Sequence, residues 1–138
     1  MKPLLYVETT IVSFLTARPS QDADIAALQR LTEQWWTSRR ARFGLCVSAL
    51  VELEAGAGDR DAAQRRLTVL HGLPRLAIDA EVDLLTEKLV LGAGFPDRAR
   101  ADADHLANPR IVLQVEATCR LLGYRAPSVC TPEQLMED

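Results

Sequence analysis

A chain of 138 residues with 48% hydrophobic content is long enough to bury one core and too short for two, so a single domain over 1–138 is expected. A net charge of -3 counts against the broad basic footprint of a typical nucleic-acid binder. The N-terminal apolar run meets Glu8 at once, so neither a signal peptide nor a membrane span is expected and the chain reads as cytoplasmic.

Three cysteines, Cys46, Cys119 and Cys130, lack metal-ligand spacing and sit among apolar neighbours, which reads as buried thiols. Fourteen arginines stand against two lysines. Arginine suits bidentate phosphate contacts, and a base-composition bias in the coding DNA explains the excess equally well.

Leu4 to Val7 is an apolar, partly β-branched run of strand type, and Thr9 to Leu15 is again mostly apolar. Glu8 falls where the strand should end, and a carboxylate there must reach water, a hydrogen-bond donor, a cation or a metal. Asp22 or Asp24 can cap a helix to about Arg39, with Ile25, Leu28, Leu31 or Thr32, and Trp35 at helical spacing. Trp35 and Trp36 read as core and rim packing rather than a ligand platform. Phe43 to Val47 reads as a buried strand, and Ser48 can cap the helix "ALVELEAG".

A helix over about Asp59 to Leu70 puts Ala63, Leu67 and Leu70 on one face. Arg75 to Ile78 is a third strand, followed by an Asp79-capped helix with Val82, Leu85 and Leu89 inward. This alternation predicts an open parallel α/β sheet with helices on its faces. It then fails: a helix begins at Pro96, and Asn108 with Pro109 at once caps another, with Ile111, Val112, Val115, Cys119 and Leu122 inward and Gly123 at its end. A last short strand, Ser128 to Cys130, leads to a terminal helix opened by Thr131 and Pro132.

In an open parallel sheet ligands gather beyond the carboxyl ends of the strands, which is where Glu8 lies. Glu54, in the helix after the second strand, and Asp102, in the helix after Pro96, could converge on it. Three carboxylates repel one another unless a divalent cation neutralises them, and hard oxygen donors select magnesium or manganese over zinc. Metal-assisted phosphodiester hydrolysis then needs no protein nucleophile. For each acid a plainer reading stands beside this one: a solvated strand-end or helix-surface carboxylate, or for Asp102 an ion pair with Arg98 one turn earlier.

"LLYVETTIVSFL", "VSALVELEAG", "ARADADHLA" and "GYRAPSVCTPEQL" together resemble the PIN-domain family, in particular the VapC-like ribonuclease toxins of bacterial toxin–antitoxin pairs. The resemblance covers most of the chain. It implies a PIN-like three-layer α/β sandwich, with a short parallel sheet flanked by helices. It places Glu8, Thr9 and Thr10 at the site, with glutamate in place of the commoner aspartate. It selects Glu54, six residues after Ser48, and leaves Glu52 as a neighbour about 200° away around the helix.

A D-A-x-H-x-A pattern matches Asp102, Ala103, His105 and Ala107, with His105 packing or orienting a carboxylate rather than binding metal. The implied activity is that of a magnesium- or manganese-dependent endoribonuclease, with Glu8, Glu54 and Asp102 as metal ligands and Thr10 assisting. The implied partners are an RNA substrate and a small antitoxin that covers the crevice, with a homodimer as a further option; no membrane partner is implied. The chain departs from the family where "DADHLA" passes directly to "NPRI": the fourth strand and the polar motif at its end are missing. That loss leaves the first strand with an unpaired edge or makes it pair with the last. The rival reading is a noncatalytic PIN-like protein that binds an antitoxin or self-associates. The Arg39, Arg40, Arg42 and Arg65, Arg66 clusters could touch RNA phosphate, with solvated surface as the default.

Overall fold

The computed structural model describes residues 1–93 and 109–137. Its architecture is mixed α/β. The elements in chain order are β1 (Leu4–Tyr6), α1 (Thr9–Thr16), α2 (Ala23–Ser38), β2 (Gly44–Cys46), α3 (Ala49–Ala55), α4 (Arg60–Leu70), α5 (Ala80–Ala93) and α6 (Pro109–Leu121), with a short 3-10 turn at Arg40–Arg42. They form two compact units, Met1–Ala77 with 131–138, and Ile78–Cys130.

In the first unit β1 and β2 pair in parallel, Leu4 with Gly44, Leu5 with Leu45 and Tyr6 with Cys46. The expected third strand is reduced to one parallel bridge between Val47 and Arg75. Val47 N donates to Pro74 O at 2.9 Å and Leu76 N to Val47 O at 2.8 Å, and Pro74, having no N–H, cannot extend the ladder. Ser128–Cys130 carries no strand assignment, and Thr131 opens a single turn rather than a helix. Gln134 N donates to Thr131 Oγ1 and Thr131 N to Gln134 Oε1, a reciprocal cap, while Leu135 and Met136 pack against the core.

One helix departs from the sequence reading. The mostly apolar run after Glu8, to which the sequence reading gives no element, is α1: Glu8 takes extended backbone (φ -88°, ψ 157°) and its side chain accepts from Thr10 N. Once the first turn is closed, Val12 can reach the core, where it is fully buried, and packing overrides the low helix propensity of Thr, Ile and Val. Ser48 caps α3 and Asp79 caps α5 as read; of Asp22 and Asp24 it is Asp22 that caps α2, and Asp59 caps α4.

Asp22 Oδ1 accepts from both Asp24 N and Ile25 N, at 3.0 and 3.1 Å. Asp22→Ala is therefore expected to cost about 1 kcal/mol of stability, read as a lower urea midpoint at unchanged slope.

The core gathers Val7, Val12, Trp35, Leu45, Val47, Val51, Ala55 and Leu70. On α2 it is Thr32 and Trp35 that are buried; Ile25 and Leu28, expected inward, are exposed. Trp36 lies edge-on to Trp35 with centroids 6.1 Å apart, and the Arg40 guanidinium stands 4.5 Å over its ring. Cys46 and Cys119 are buried, but Cys130, expected inside, is exposed.

In the second unit α5 packs against α6. Leu85 and Leu89 are half-buried and Val82 is exposed. Gly123, at φ +80°, ends α6 in the left-handed conformation that lets Tyr124 N reach Cys119 O at 2.8 Å. No helix among the described residues is long and apolar enough to cross a membrane.

Candidate active site

Glu8 sits two residues beyond β1, at its carboxyl end, as the N-cap of α1. Its two carboxylate oxygens take different donors: Thr10 N reaches Oε2 at 3.1 Å and Thr10 Oγ1 reaches Oε1 at 3.2 Å. The carboxylate thus finds hydrogen-bond donors and the positive end of a helix, which answers the desolvation problem posed by its position.

Glu54 comes from α3, the helix that Ser48 opens just after β2. Its Oε2 accepts a 2.6 Å hydrogen bond from Thr9 Oγ1, across 45 residues of sequence. Glu8 and Glu54 are therefore joined through adjacent residues at the mouth of β1, with Thr9 holding one carboxylate and Thr10 the other. The two threonines divide the work because neighbouring side chains at the start of a helix point in different directions.

Glu52 turns away and pairs with Arg75. The divergence of residues two apart on a helix accounts for both fates: Glu54 faces Thr9 and Glu52 faces the segment after α4. Ser48 does double duty nearby, accepting from Val51 N at 3.4 Å as the α3 cap and sharing a 2.8 Å hydrogen bond with Tyr6 Oη. These bonds tie the tip of β1 to the start of α3, the two elements that carry the acids.

Asp102 and His105 lie outside the described residues. Among the described residues no group of three or more His, Cys, Asp or Glu side chains is placed to hold a metal ion. The two carboxylates present supply oxygen alone, the donor type that magnesium or manganese takes, and magnesium is commonly held by one or two carboxylates with water completing its shell. Each carboxylate also keeps acceptor capacity beyond the bonds it makes.

The arginines have separate duties. Arg66 donates through Nε to Ala55 O at 2.8 Å and through Nη2 to Ala57 O at 2.6 Å, closing the carboxyl end of α3 from α4. Arg65 is exposed and lines, with Arg18, Asp59 and Asp61, a cleft between α1 and α4 at the end of α1 remote from Glu8. Burial pushes the Cys46 thiol up from its ordinary pKa, so this residue of β2 stays protonated and inert.

The link the sequence did not disclose is the Thr9–Glu54 hydrogen bond. Only the "ETT" run hinted at Thr9, since no spacing rule couples a hydroxyl to an acid so far along the chain. Comparison with protein-family models, with curated proteins and with solved structures gives no significant match to this chain.

Proposed function

We propose that this protein is a PIN-type, magnesium- or manganese-dependent endoribonuclease, the toxin half of a toxin–antitoxin pair, built on a reduced three-layer sandwich. The reading is supported above all by the 2.6 Å bond from Thr9 to Glu54, which brings the second acid to the residue beside the first. Glu8 and Glu54, with Asp102 from outside the described residues, would hold the ion. When bound, the ion supplies an activated water and charge compensation for phosphodiester hydrolysis.

The chain's own residues do the positioning. Thr10 fixes Glu8 through both its N–H and its hydroxyl, and Thr9 fixes Glu54. A small antitoxin would act by covering this mouth.

Two measurements test the reading together: RNA cleavage with and without magnesium, and thermal unfolding during titration with magnesium or manganese. An ion that binds only the folded chain stabilises it by about 2.7 kcal/mol at one hundred times its dissociation constant. Metal-dependent cleavage with a rising unfolding midpoint is the expected result; no cleavage and no shift with either ion would remove the reading. Thr9→Val, which keeps the side-chain shape and deletes the donor to Glu54, is expected to weaken ion binding about 10–100-fold. Isothermal titration of wild type and variant checks it.

The second reading, a noncatalytic PIN-like protein that binds an antitoxin or self-associates, is favoured by the small size of the two-stranded sheet. It predicts partner binding without any response to the ions.

A further inference from the structure

The cleft between α1 and α4 is lined entirely by residues of the first unit and has a volume of about 450 Å³, within the range of small-molecule sites. Five charged side chains line it, Arg18, Arg65 and Arg66 against Asp59 and Asp61. Two of the five are spent on the fold. Arg66 holds the carbonyls of Ala55 and Ala57, and Asp59 Oδ1 accepts from Ala62 N at 2.9 Å as the cap of α4. The other three, Arg18, Asp61 and Arg65, make no side-chain hydrogen bond or ion pair among the described residues. Asp61 and Arg65 stand four apart on α4 with the acid first, the spacing that favours an ion pair, yet they do not pair. Two guanidinium groups and a carboxylate thus stand without partners around one space.

We propose that this cleft binds one ribonucleoside 5′-phosphate as a free small molecule, at a site separate from the carboxylates of Glu8 and Glu54. Arg18 comes from the segment after α1 and Arg65 from α4, so a phosphate between them takes charge-assisted hydrogen bonds from two walls. Asp61 lies one helical turn from Arg65, about 6 Å along the axis. An ionised carboxylate only accepts, and the ribose of the same nucleotide brings it two hydroxyl donors.

The spacing decides against simpler ligands. Inorganic phosphate leaves Asp61 without a donor. In an α-amino acid the two charges are one carbon apart, too close to span the turn between Arg65 and Asp61. A nucleotide inside an RNA strand carries a second phosphate on its 3′ oxygen, which would stand against Asp59 and Asp61, and like charges repel. The free 3′ hydroxyl of a mononucleotide meets no such repulsion. The proposal requires neither a metal nor the cleavage reaction.

Isothermal titration of the full chain in EDTA with adenosine, guanosine, cytidine and uridine 5′-monophosphates tests it, with the 2′,3′-dideoxy counterparts and an oligoribonucleotide alongside. At least one ribonucleotide is expected to bind one to one and to raise the thermal unfolding midpoint. Its dideoxy counterpart is expected to bind about tenfold more weakly, and Asp61→Asn to remove most of that preference. Arg65→Gln and Arg18→Gln, both at exposed positions, are each expected to weaken binding about tenfold. Glu8→Gln is expected to leave the affinity unchanged, which keeps this result apart from the outcome of the cleavage assay. No binding of any of the four at millimolar concentration overturns the proposal. So do a folded Arg65→Gln or Arg18→Gln variant that binds as wild type does, and equal affinity for ribose and dideoxyribose. An oligoribonucleotide that binds through Arg65 more tightly than every mononucleotide overturns it too, because the cleft then serves an RNA strand.

Discussion

Glu8→Gln is expected to lower metal-dependent RNA cleavage on the order of 100-fold or more, equivalent to about 2.7 kcal/mol of transition-state stabilisation, while leaving the fold in place. Glutamine keeps a side-chain oxygen that can accept from Thr10 N, the bond that caps α1. Glutamine also carries no charge, so the attraction for a divalent ion is lost. The variant thus separates two duties that Glu8→Ala would remove together.

The measurement is initial cleavage rate at several magnesium concentrations, paired with the thermal unfolding midpoint in the absence of metal. A rate equal to wild type would take Glu8 out of the reaction. A large fall in the metal-free midpoint would instead show that the charge itself stabilises the helix, through its place at the positive end of α1.

The largest effect on stability is expected at Trp35. This side chain is 2% exposed and packs with Trp36 and Phe43, each with ring centroids 6.1 Å away. Trp35→Ala is expected to cost about 3–5 kcal/mol, enough to unfold a marginal domain at room temperature. Trp35→Phe should cost far less than its lost volume suggests. The indole Nε1 is buried and has no hydrogen-bond partner among the described residues, and such an orphaned donor carries a penalty of about 1–3 kcal/mol that phenylalanine does not. Urea unfolding of the two variants reads the difference directly; equal losses would mean that Nε1 is satisfied in solution, by water for instance.

The site depends on the core. Val7 precedes Glu8 and is buried, and Val51 and Ala55, on either side of Glu54, are buried in the same cluster. Each acid is thus carried by apolar neighbours whose positions are fixed by packing, so the 2.6 Å Thr9–Glu54 bond is made between elements with little freedom to separate. Loss of Trp35 would loosen that cluster and the site together, and so would lower activity without touching either acid.

Much of the local structure is legible in the residues. Asp22, Ser48, Asp59 and Asp79 each stand immediately before the helix they cap, because the bonds they make span only two or three residues. Pro109 opens α6 and Gly123 follows its end for equally local reasons. The divergence of Glu52 and Glu54 also follows from helix geometry alone. The run after Glu8 was not legible: Thr, Ile and Val in sequence favour a strand, and only the capping bond with the burial of Val12 makes it α1. The third strand failed for the opposite reason, since its apolar residues promised a ladder that Pro74 and the exposure of Leu76 and Ile78 do not support.

By itself, then, the sequence determined where α2 to α6 begin, that the first two strands are separated by a helical segment, and which acids were worth attention. Those properties come from bonds between near neighbours and from periodicity. Tertiary structure alone decided that Glu54 meets Thr9, that Glu52 meets Arg75, and that β1 keeps one backbone edge unpaired among the described residues. These are contacts between residues 23 to 45 positions apart, chosen by which apolar faces pack together, and no local rule of spacing carries that information.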